Sequence, residues 1–333
     1  MKNITLHFDK TIKHWDEALP LGNGDLGCLI WNSSDKLRFS LDKGGIWDCS
    51  NPPENQNNFT YDDIKNLVAN RKQRQIQKKY DDCYSNPTPT KLPVGKIILN
   101  LGIKENIISD LDFNIAQAEL TIGEILVKSF IHAQNNYGLI EINKTGVNLT
   151  IDNPKYGKIK KFSLKFPSKR TVQSLKNLHY PDAEFFDETK DEINYKYFIQ
   201  PTNDGFYGIV TAKYEHNNQT LIAYTVGFGK DKSFVENCKT TIKFAIEIGY
   251  DTAYNEHKKW WEEYWCKSSI ILPDKLLEKQ WYLNNYLLAC CSRKHKYPMP
   301  LQGVWTADNG SLPPWKGDYH HDLNTQMSYT SYL

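Results

Sequence analysis

The sequence predicts an α+β chain in which an antiparallel β-sandwich comes first and helices follow. Three observations carry that expectation. From about Lys96 to Val226, short runs of alternating apolar and polar residues succeed one another without an intervening helical pattern. At about Lys232 the apolar spacing becomes helical, in Phe234, Val235, Cys238, Thr241, Ile242, Ala245 and Ile246. A Pro273-Asp274 step then restarts the chain on a further helical pattern. At 333 residues the chain is long enough for about two domains, each with its own core.

Taken in order, Trp15 to Trp31 is punctuated by Gly22, Gly24 and Gly27 around Asn23 and Asp25, and the apolar run from Cys28 to Trp31 reads as a strand entered through a tight turn. A phosphate-cradling loop does not fit, because the glycine spacing is not GxGxxG and no Lys-Ser/Thr pair follows. Leu37 to Leu41 alternates. Thr60 is placed to cap a helix by accepting from the N–H of Asp63, with Ile64, Leu67 and Val68 opening an apolar face that Ile76 and Tyr80 continue weakly. The basic residues from Arg71 to Lys79 read as its solvated side. Pro87, Pro89 and Pro93 end that helix and lead into a strand over Lys96 to Leu101. Further strands are predicted at Glu119 to Ile122, Leu126 to Ile131, Leu139 to Asn143, Phe162 to Phe166, Tyr195 to Ile199, Gly208 to Tyr214 and Leu221 to Val226.

After the helix beginning near Lys232, Asp251 is placed to cap a second one, whose Trp260, Trp261, Tyr264 and Trp265 form an aromatic stripe read as packing. Asp274 caps a third helix. Its inward face is predicted to be Leu276, Leu277, Gln280, Trp281, Leu283, Leu287, Leu288 and Cys291, and Arg293, Lys294 and Lys296 suit its C-terminal dipole. The expected division is a sandwich over 1–230, a helical linker over 231–268 and a third unit over 269–333.

Composition excludes several partners. Lys plus Arg (41) nearly balance Asp plus Glu (39), and no basic run is dense enough to track a phosphate backbone, so nucleic acid is not expected. Seven cysteines without a CxxC pair suggest buried free thiols and not a disulfide framework or a zinc ribbon. No run approaches the roughly 20 apolar residues of a membrane span, and MKNITLHFDK lacks the apolar core of a signal peptide. No internal repeat or low-complexity tract stands out.

The chemistry-bearing stretch is LQGVWTADNGSLPPWKGDYHHDLNTQMSY, Leu301 to Tyr329, with two Trp, two His, two Gln, three Asp and two Asn around Pro313-Pro314. This is the composition of a carbohydrate pocket: indole faces stack on the C–H face of a pyranose while short polar groups bind its hydroxyls. Trp305 and Trp315 would be the walls, with Gln302, His320 and Gln326 as hydroxyl partners. Asp322 and Asn324 are two residues apart, so an extended loop would aim both into one cavity, whereas on a helix they would diverge. Asp322 equally suits the N-cap of a helix starting at Leu323. No metal or cofactor is expected, since the adjacent side chains of His320 and His321 diverge and no further ligand spacing supports them.

The same stretch resembles the "N-L-Q-G-x-W … P-P-W … Y-H-x-N-x-N-x-Q-M-N-Y-W" signature of glycoside hydrolase family 95, the inverting α-L-fucosidases. Trp15 to Gly27 resembles that family's "W-x-x-A-x-P-x-G-N-G-x-L-G" opening. Asp42 to Asp48 resembles its "N-E-D-T-L-W-S-G" loosely, and Leu111 to Leu120 with Val127 to Ala133 resembles its "L-D-L-x-x-A … R-E-x-F-x-S" strand pair, with Lys128 in place of the Arg. Asn324 matches the second Asn of the catalytic pair, Asp322 stands where the first would be, and Ser328 and Thr330 replace the closing Asn and Trp.

The resemblance implies that the third helix opens an (α/α)6 catalytic barrel that is truncated here. It also implies that the Asn pair holds the attacking water, while a downstream Asp and a downstream Glu general acid lie beyond Leu333. A carboxylate at 322 cannot donate as a carboxamide does, so Asp322 would itself be a base or mark a different sugar specificity. The implied activity is release of terminal fucose, or of an L-galactose-like sugar, from glycans in the periplasm or outside the cell. The competing expectation is a carbohydrate-binding protein without catalysis.

Overall fold

The computed structural model describes residues 4–33, 36–50, 60–81, 86–102, 104–157 and 174–330. Two antiparallel sheets face each other. The larger runs in the order Thr5–Phe8, Ile108–Asp112, Gln117–Ile122, Ile125–Ile131, Gly138–Ile142, Gln219–Gly229, Phe206–His216, Ile193–Pro201 and Glu184–Lys190. The smaller runs Asn148–Asp152, Gly95–Asn100, Lys36–Lys43, Leu26–Ser33 and Leu19–Gly22, and a two-stranded ribbon pairs Trp47–Asp48 with Thr90–Lys91. The predicted sandwich is therefore present. Its alternation is what lets Leu19, Leu21, Phe39 and Ile97 of one sheet meet Leu120, Val127, Ile140 and Ile222 of the other in one buried core.

Seven strands lie where no strand is predicted: Thr5–Phe8, Leu19–Gly22, Trp47–Asp48, Thr90–Lys91, Ile108–Asp112, Asn148–Asp152 and Glu184–Lys190. The last shows why. EFFDETK is solvent-exposed along its whole length and carries no apolar alternation. It forms because Asp191 (φ 52) and Glu192 (φ 63) make a tight left-handed turn that folds it onto Ile193–Pro201. The strand predicted at Phe162 to Phe166 lies outside the described residues.

Helix α1 (Tyr61–Ala69) begins as predicted, with Thr60 Oγ1 accepting from Asp63 N at 3.2 Å. Its expected apolar face is not buried, however, and Val68 is 60% exposed. Nor does the helix continue to Tyr80: the chain turns at Arg71 (φ 53) before the short α2 (Gln73–Ile76). Asp63 then holds the returning segment, accepting from Tyr80 Oη at 2.7 Å and Lys79 Nζ at 2.8 Å.

Helix α3 (Phe234–Trp265) is two helices joined at Gly249 (φ 77, ψ 167), two residues before the predicted cap Asp251. The first half covers the outer face of the larger sheet, where Phe234, Val235, Cys238, Ile242 and Ala245 pack on Phe130, Leu139, Val210 and Ala223. The strand Gln219–Gly229 is thus buried on both faces. Gly227 is required there, because a Cβ would lie 2.4 Å from Cys238 Sγ. The second half turns Trp261 and Trp265 into the main core, and Trp265 Nε1 donates to Phe113 O at 2.9 Å. The aromatic stripe is packing, as its spacing predicts.

Helix α4 (Lys275–Cys291) is capped by Asp274, which accepts from Leu276 N at 2.9 Å and Leu277 N at 3.2 Å. Its buried face matches the predicted one only in part: Leu288 and Cys291 are buried as expected. Tyr282, Asn285, Tyr286, Ala289 and Cys290 turn inward, whereas Leu276 is 75% and Leu277 58% exposed. The rings win because they are long enough to reach Trp261 (5.4 Å from Tyr286) and Trp265 (5.4 Å from Tyr282). A short α5 (Leu323–Tyr329) closes the described chain. Of the described cysteines, Cys28, Cys238, Cys290 and Cys291 are buried free thiols as expected, but Cys49 and Cys266 are exposed.

Candidate active-site segment

The glycines of the N-terminal motif do geometric work. A Cβ on Gly22 would lie 2.7 Å from Cys290 O, and one on Gly27 would lie 2.9 Å from Val304 Cγ1. Gly24, at φ 84, donates its N–H to Cys290 O at 2.7 Å. The bare backbone of strands Leu19–Gly22 and Leu26–Ser33 is thus the surface on which the end of α4 and residues 303–305 sit. Tyr286 Oη donates to Pro20 O at 2.6 Å and Trp305 Nε1 to Leu21 O at 2.9 Å. Trp305 is therefore a half-buried anchor tied by its indole nitrogen.

Beneath the same segment runs a ladder of buried charges that the sequence reading did not single out. Lys43 Nζ pairs with Asp25 Oδ2 at 2.5 Å, and Lys91 Nζ pairs with Asp42 and donates to Lys43 O at 3.0 Å. Thr306 Oγ1 donates to the other oxygen of Asp42. Burial pushes the Asp42 carboxyl above the usual carboxylate range, against the opposing pull of the Lys91 ammonium. Two residues after Thr306, Ser40 Oγ donates to Asp308 Oδ2 at 2.8 Å and Lys96 Nζ meets Asp308 Oδ1 at 2.5 Å. A signal for part of this was available: Phe39, Leu41 and Lys43 share one face by period two, so Lys43 had to point into the core. Part of the ladder borders a cavity of about 300 Å³ lined by Trp305, Thr306 and Asp308 with Asp42, Lys96 and Asn153.

Past Pro313 the chain makes a left-handed turn through Trp315 (φ 53), Lys316 (φ 58) and Gly317 (φ 68), over the ribbon formed by Trp47–Asp48 and Thr90–Lys91. Trp315 is 71% exposed and stands edge-on to His320 at 6.0 Å. His320 Nε2 faces Asp318 Oδ1 at 2.9 Å. Gln302 lies beneath the turn, with both amide atoms buried and without a hydrogen-bond partner, and a Cβ on Gly317 would come within 2.6 Å of its Nε2. Tyr319 stacks on Trp47 (5.5 Å) and on His321 (5.8 Å).

Asp322 is the N-cap of α5, accepting from Asn324 N at 3.4 Å through its side chain. Asn324 lies in the first helical turn, so the extended 322–324 geometry that would aim both side chains into one cavity is absent. Asp322, Asn324 and Gln326 are all exposed. The predicted site residues therefore fall into three settings: Trp305 and Gln302 against the sandwich, Trp315 and His320 over the turn, and Asp322, Asn324 and Gln326 on α5.

Residues 243–331 match the model of the glycosyl hydrolase family 95 catalytic domain, and residues 6–122 match that of the glycosyl hydrolase family 65 N-terminal domain. Among curated proteins the chain is similar to "Alpha-L-fucosidase 2" of Arabidopsis thaliana, 19% identical over 98% of this chain and 46% of that protein. The chain thus spans about half the length of the curated relative it matches. Among solved structures it is similar, at 10% identity and a TM-score of 0.48, to a human-microbiome protein assigned as a kojibiose phosphorylase, over 87% of this chain and 42% of that one. The family models and the curated relative thus make the chain similar to glycoside hydrolases: over 243–331 to the family 95 catalytic domain and over 6–122 to the family 65 N-terminal domain.

Proposed function

We propose that the chain is the sandwich (1–230), helical linker (231–268) and first part of the (α/α)6 catalytic domain (269–333) of an exo-acting α-L-fucosidase-like enzyme. Its substrate is then a fucosylated or similarly configured glycan. The observation that carries this reading is the catalytic-domain match over 243–331, which contains the whole Leu301 to Tyr329 stretch. The name of the curated relative supports fucose as the sugar.

In this reading Asn324 orients the attacking water through its carboxamide, and Trp315 and His320 form the outer wall of the sugar site. Asp322 acts as base or water-binding carboxylate in addition to capping α5. The resemblance assigns the general acid to a position further along than residue 333. The 333-residue polypeptide alone is accordingly expected to bind fucosylated glycan without cleaving it.

A second reading, a carbohydrate-binding protein without catalysis, is favoured by one observation: Asp322 replaces the first Asn of the pair and already has a capping role. Two measurements on the purified polypeptide test the first reading: free sugar released from 2'-fucosyllactose or an aryl α-L-fucoside, and saturation-transfer NMR with the same compounds. Release above a blank would refute the placement of the acid beyond residue 333. Equal binding of fucosylated and unfucosylated glycans would refute fucose as the sugar recognised.

A further inference from the structure

A second cavity, of about 400 Å³, has Trp47 of the Trp47–Asp48 ribbon in its wall. Its described walls are aromatic: Trp47, Phe206, Phe228 and Tyr297, with Asp204 and Lys230 among the lining groups. Three of these walls are held in place. Trp47 Nε1 donates to Gly44 O at 3.0 Å, and the indole stacks on Tyr319 at an interplanar angle of 21°. Phe228 and Tyr297 close together over Gly45, where a Cβ would lie 2.5 Å from Tyr297 Cε2 and 2.9 Å from Phe228 Cζ. Phe228 is 40% and Tyr297 47% exposed, so neither ring is consumed by the core.

The polar groups are held as well. Asp204 Oδ2 accepts the N–H of Cys49 at 2.5 Å, which fixes the carboxylate while leaving it further acceptor capacity. Lys230 Nζ donates to the backbone carbonyl of Asp204 at 2.8 Å, which fixes an ammonium with further N–H donors at the same rim of the cavity. Flat apolar faces with one acceptor and one donor at the edge match a pyranose, which offers a C–H face and an edge of hydroxyls. A purely apolar ligand would desolvate the Asp204 and Lys230 charges without compensation.

We propose that this cavity is a carbohydrate subsite that takes a pyranose ring of the glycan chain, separate from the Trp315–Asp322 segment. The ring stack Trp47–Tyr319–His321 joins the two places, so one glycan would run from the cavity toward α5. The proposal rests on the reading of the chain as one that takes fucosylated glycans, and it assigns the cavity to the unfucosylated part.

The test uses the 333-residue chain with lactose, 2'-fucosyllactose and L-fucose, followed by calorimetry and saturation-transfer NMR. Lactose is expected to bind, Trp47→Ala to weaken it at least tenfold, Asp204→Asn to weaken it severalfold, and saturating L-fucose to leave it in place. Should Trp47→Ala lower the melting temperature enough to confuse the result, Phe228→Ser removes a wall from outside the main core and is expected to weaken lactose in the same way. No lactose binding, binding indifferent to both Trp47→Ala and Phe228→Ser, or displacement by L-fucose would each overturn the subsite. Trp47-dependent binding of lactose without any preference for 2'-fucosyllactose would keep the subsite and remove the fucosidase reading.

Discussion

His257, on the second half of α3, is completely buried, and its titration sets a pH limit on the fold. Its Nε2 donates to Ile115 O at 2.7 Å, its ring lies 4.6 Å from that of Phe130, and His132 lies 6.3 Å away. Burial, helped by the neighbouring charge of Arg293 and by His132, holds its pKa down to about 3, against about 6.5 for an unfolded histidine. Between those values the unfolded chain binds a proton that the folded chain refuses, so stability present above about pH 6.5 is lost as the pH falls. Integrating the two titrations from pH 7 to pH 5 gives a loss of about 2 kcal/mol from this side chain. Burial also lowers the pKa of His132, which adds to the loss in the same direction.

Urea unfolding at pH 7 and at pH 5 reads the effect, with His257→Phe as the comparison. The variant keeps a ring against Phe130 but leaves the Ile115 carbonyl without its donor, so it starts about 1 to 3 kcal/mol less stable. It should nevertheless lose about 2 kcal/mol less than the wild type between the two pH values. NMR of the His257 ring should show no titration between pH 5 and 8. Equal losses in both proteins, or a ring that titrates near pH 6.5, would refute the argument.

Three further outcomes are expected. Gly22→Ala should cost about 1 to 3 kcal/mol of unfolding free energy, because its Cβ meets the Cys290 carbonyl rather than a flexible side-chain end. Lys91→Met should cost about 3 to 5 kcal/mol by leaving Asp42 buried without its cation, and Thr306→Val about 1 to 3 kcal/mol by removing one donor, both read from the urea midpoint. Asp322→Ala should loosen α5 by about 0.5 to 2 kcal/mol, seen as faster amide exchange over residues 324–329, while Asp322→Asn should change it by only a few tenths.

What the sequence disclosed follows from where each residue's partner lies. The strands legible in advance have an inward face of Leu, Ile and Val, and the caps Thr60 and Asp274 bond to amides within three residues. The buried face of α4 is only partly legible, because its leucines suit a helix interior on hydropathy, whereas the choice of face is made by Tyr282 and Tyr286, which fit rings contributed by Trp261 and Trp265 on another helix. Glu184–Lys190 was invisible because its strand state is imposed by the hairpin and not by its own side chains. Trp305 and Trp315 look alike as sugar walls in a linear reading, yet one hydrogen-bonds Leu21 and the other stands in solvent.

The glycine motif and the charge ladder explain one another. Both belong to the sandwich, yet both act on the catalytic-domain-like stretch: Gly22, Gly24 and Gly27 remove the side chains that would hold α4 and residues 303–305 away, and Leu21 O, Asp42 and Ser40 then fasten Trp305, Thr306 and Asp308. Close approach excludes water, and a dehydrated Asp42 must be compensated, which is the reason for Lys91 at full burial. The stretch from 301 to 319 thus takes its backbone course from groups more than two hundred residues earlier in the chain. The residues that lead into Trp315 and His320 are thereby tied to the sandwich. A carbohydrate site on that segment would therefore be shaped by the sandwich as much as by the helices, even though no sandwich residue in the ladder needs to touch the sugar.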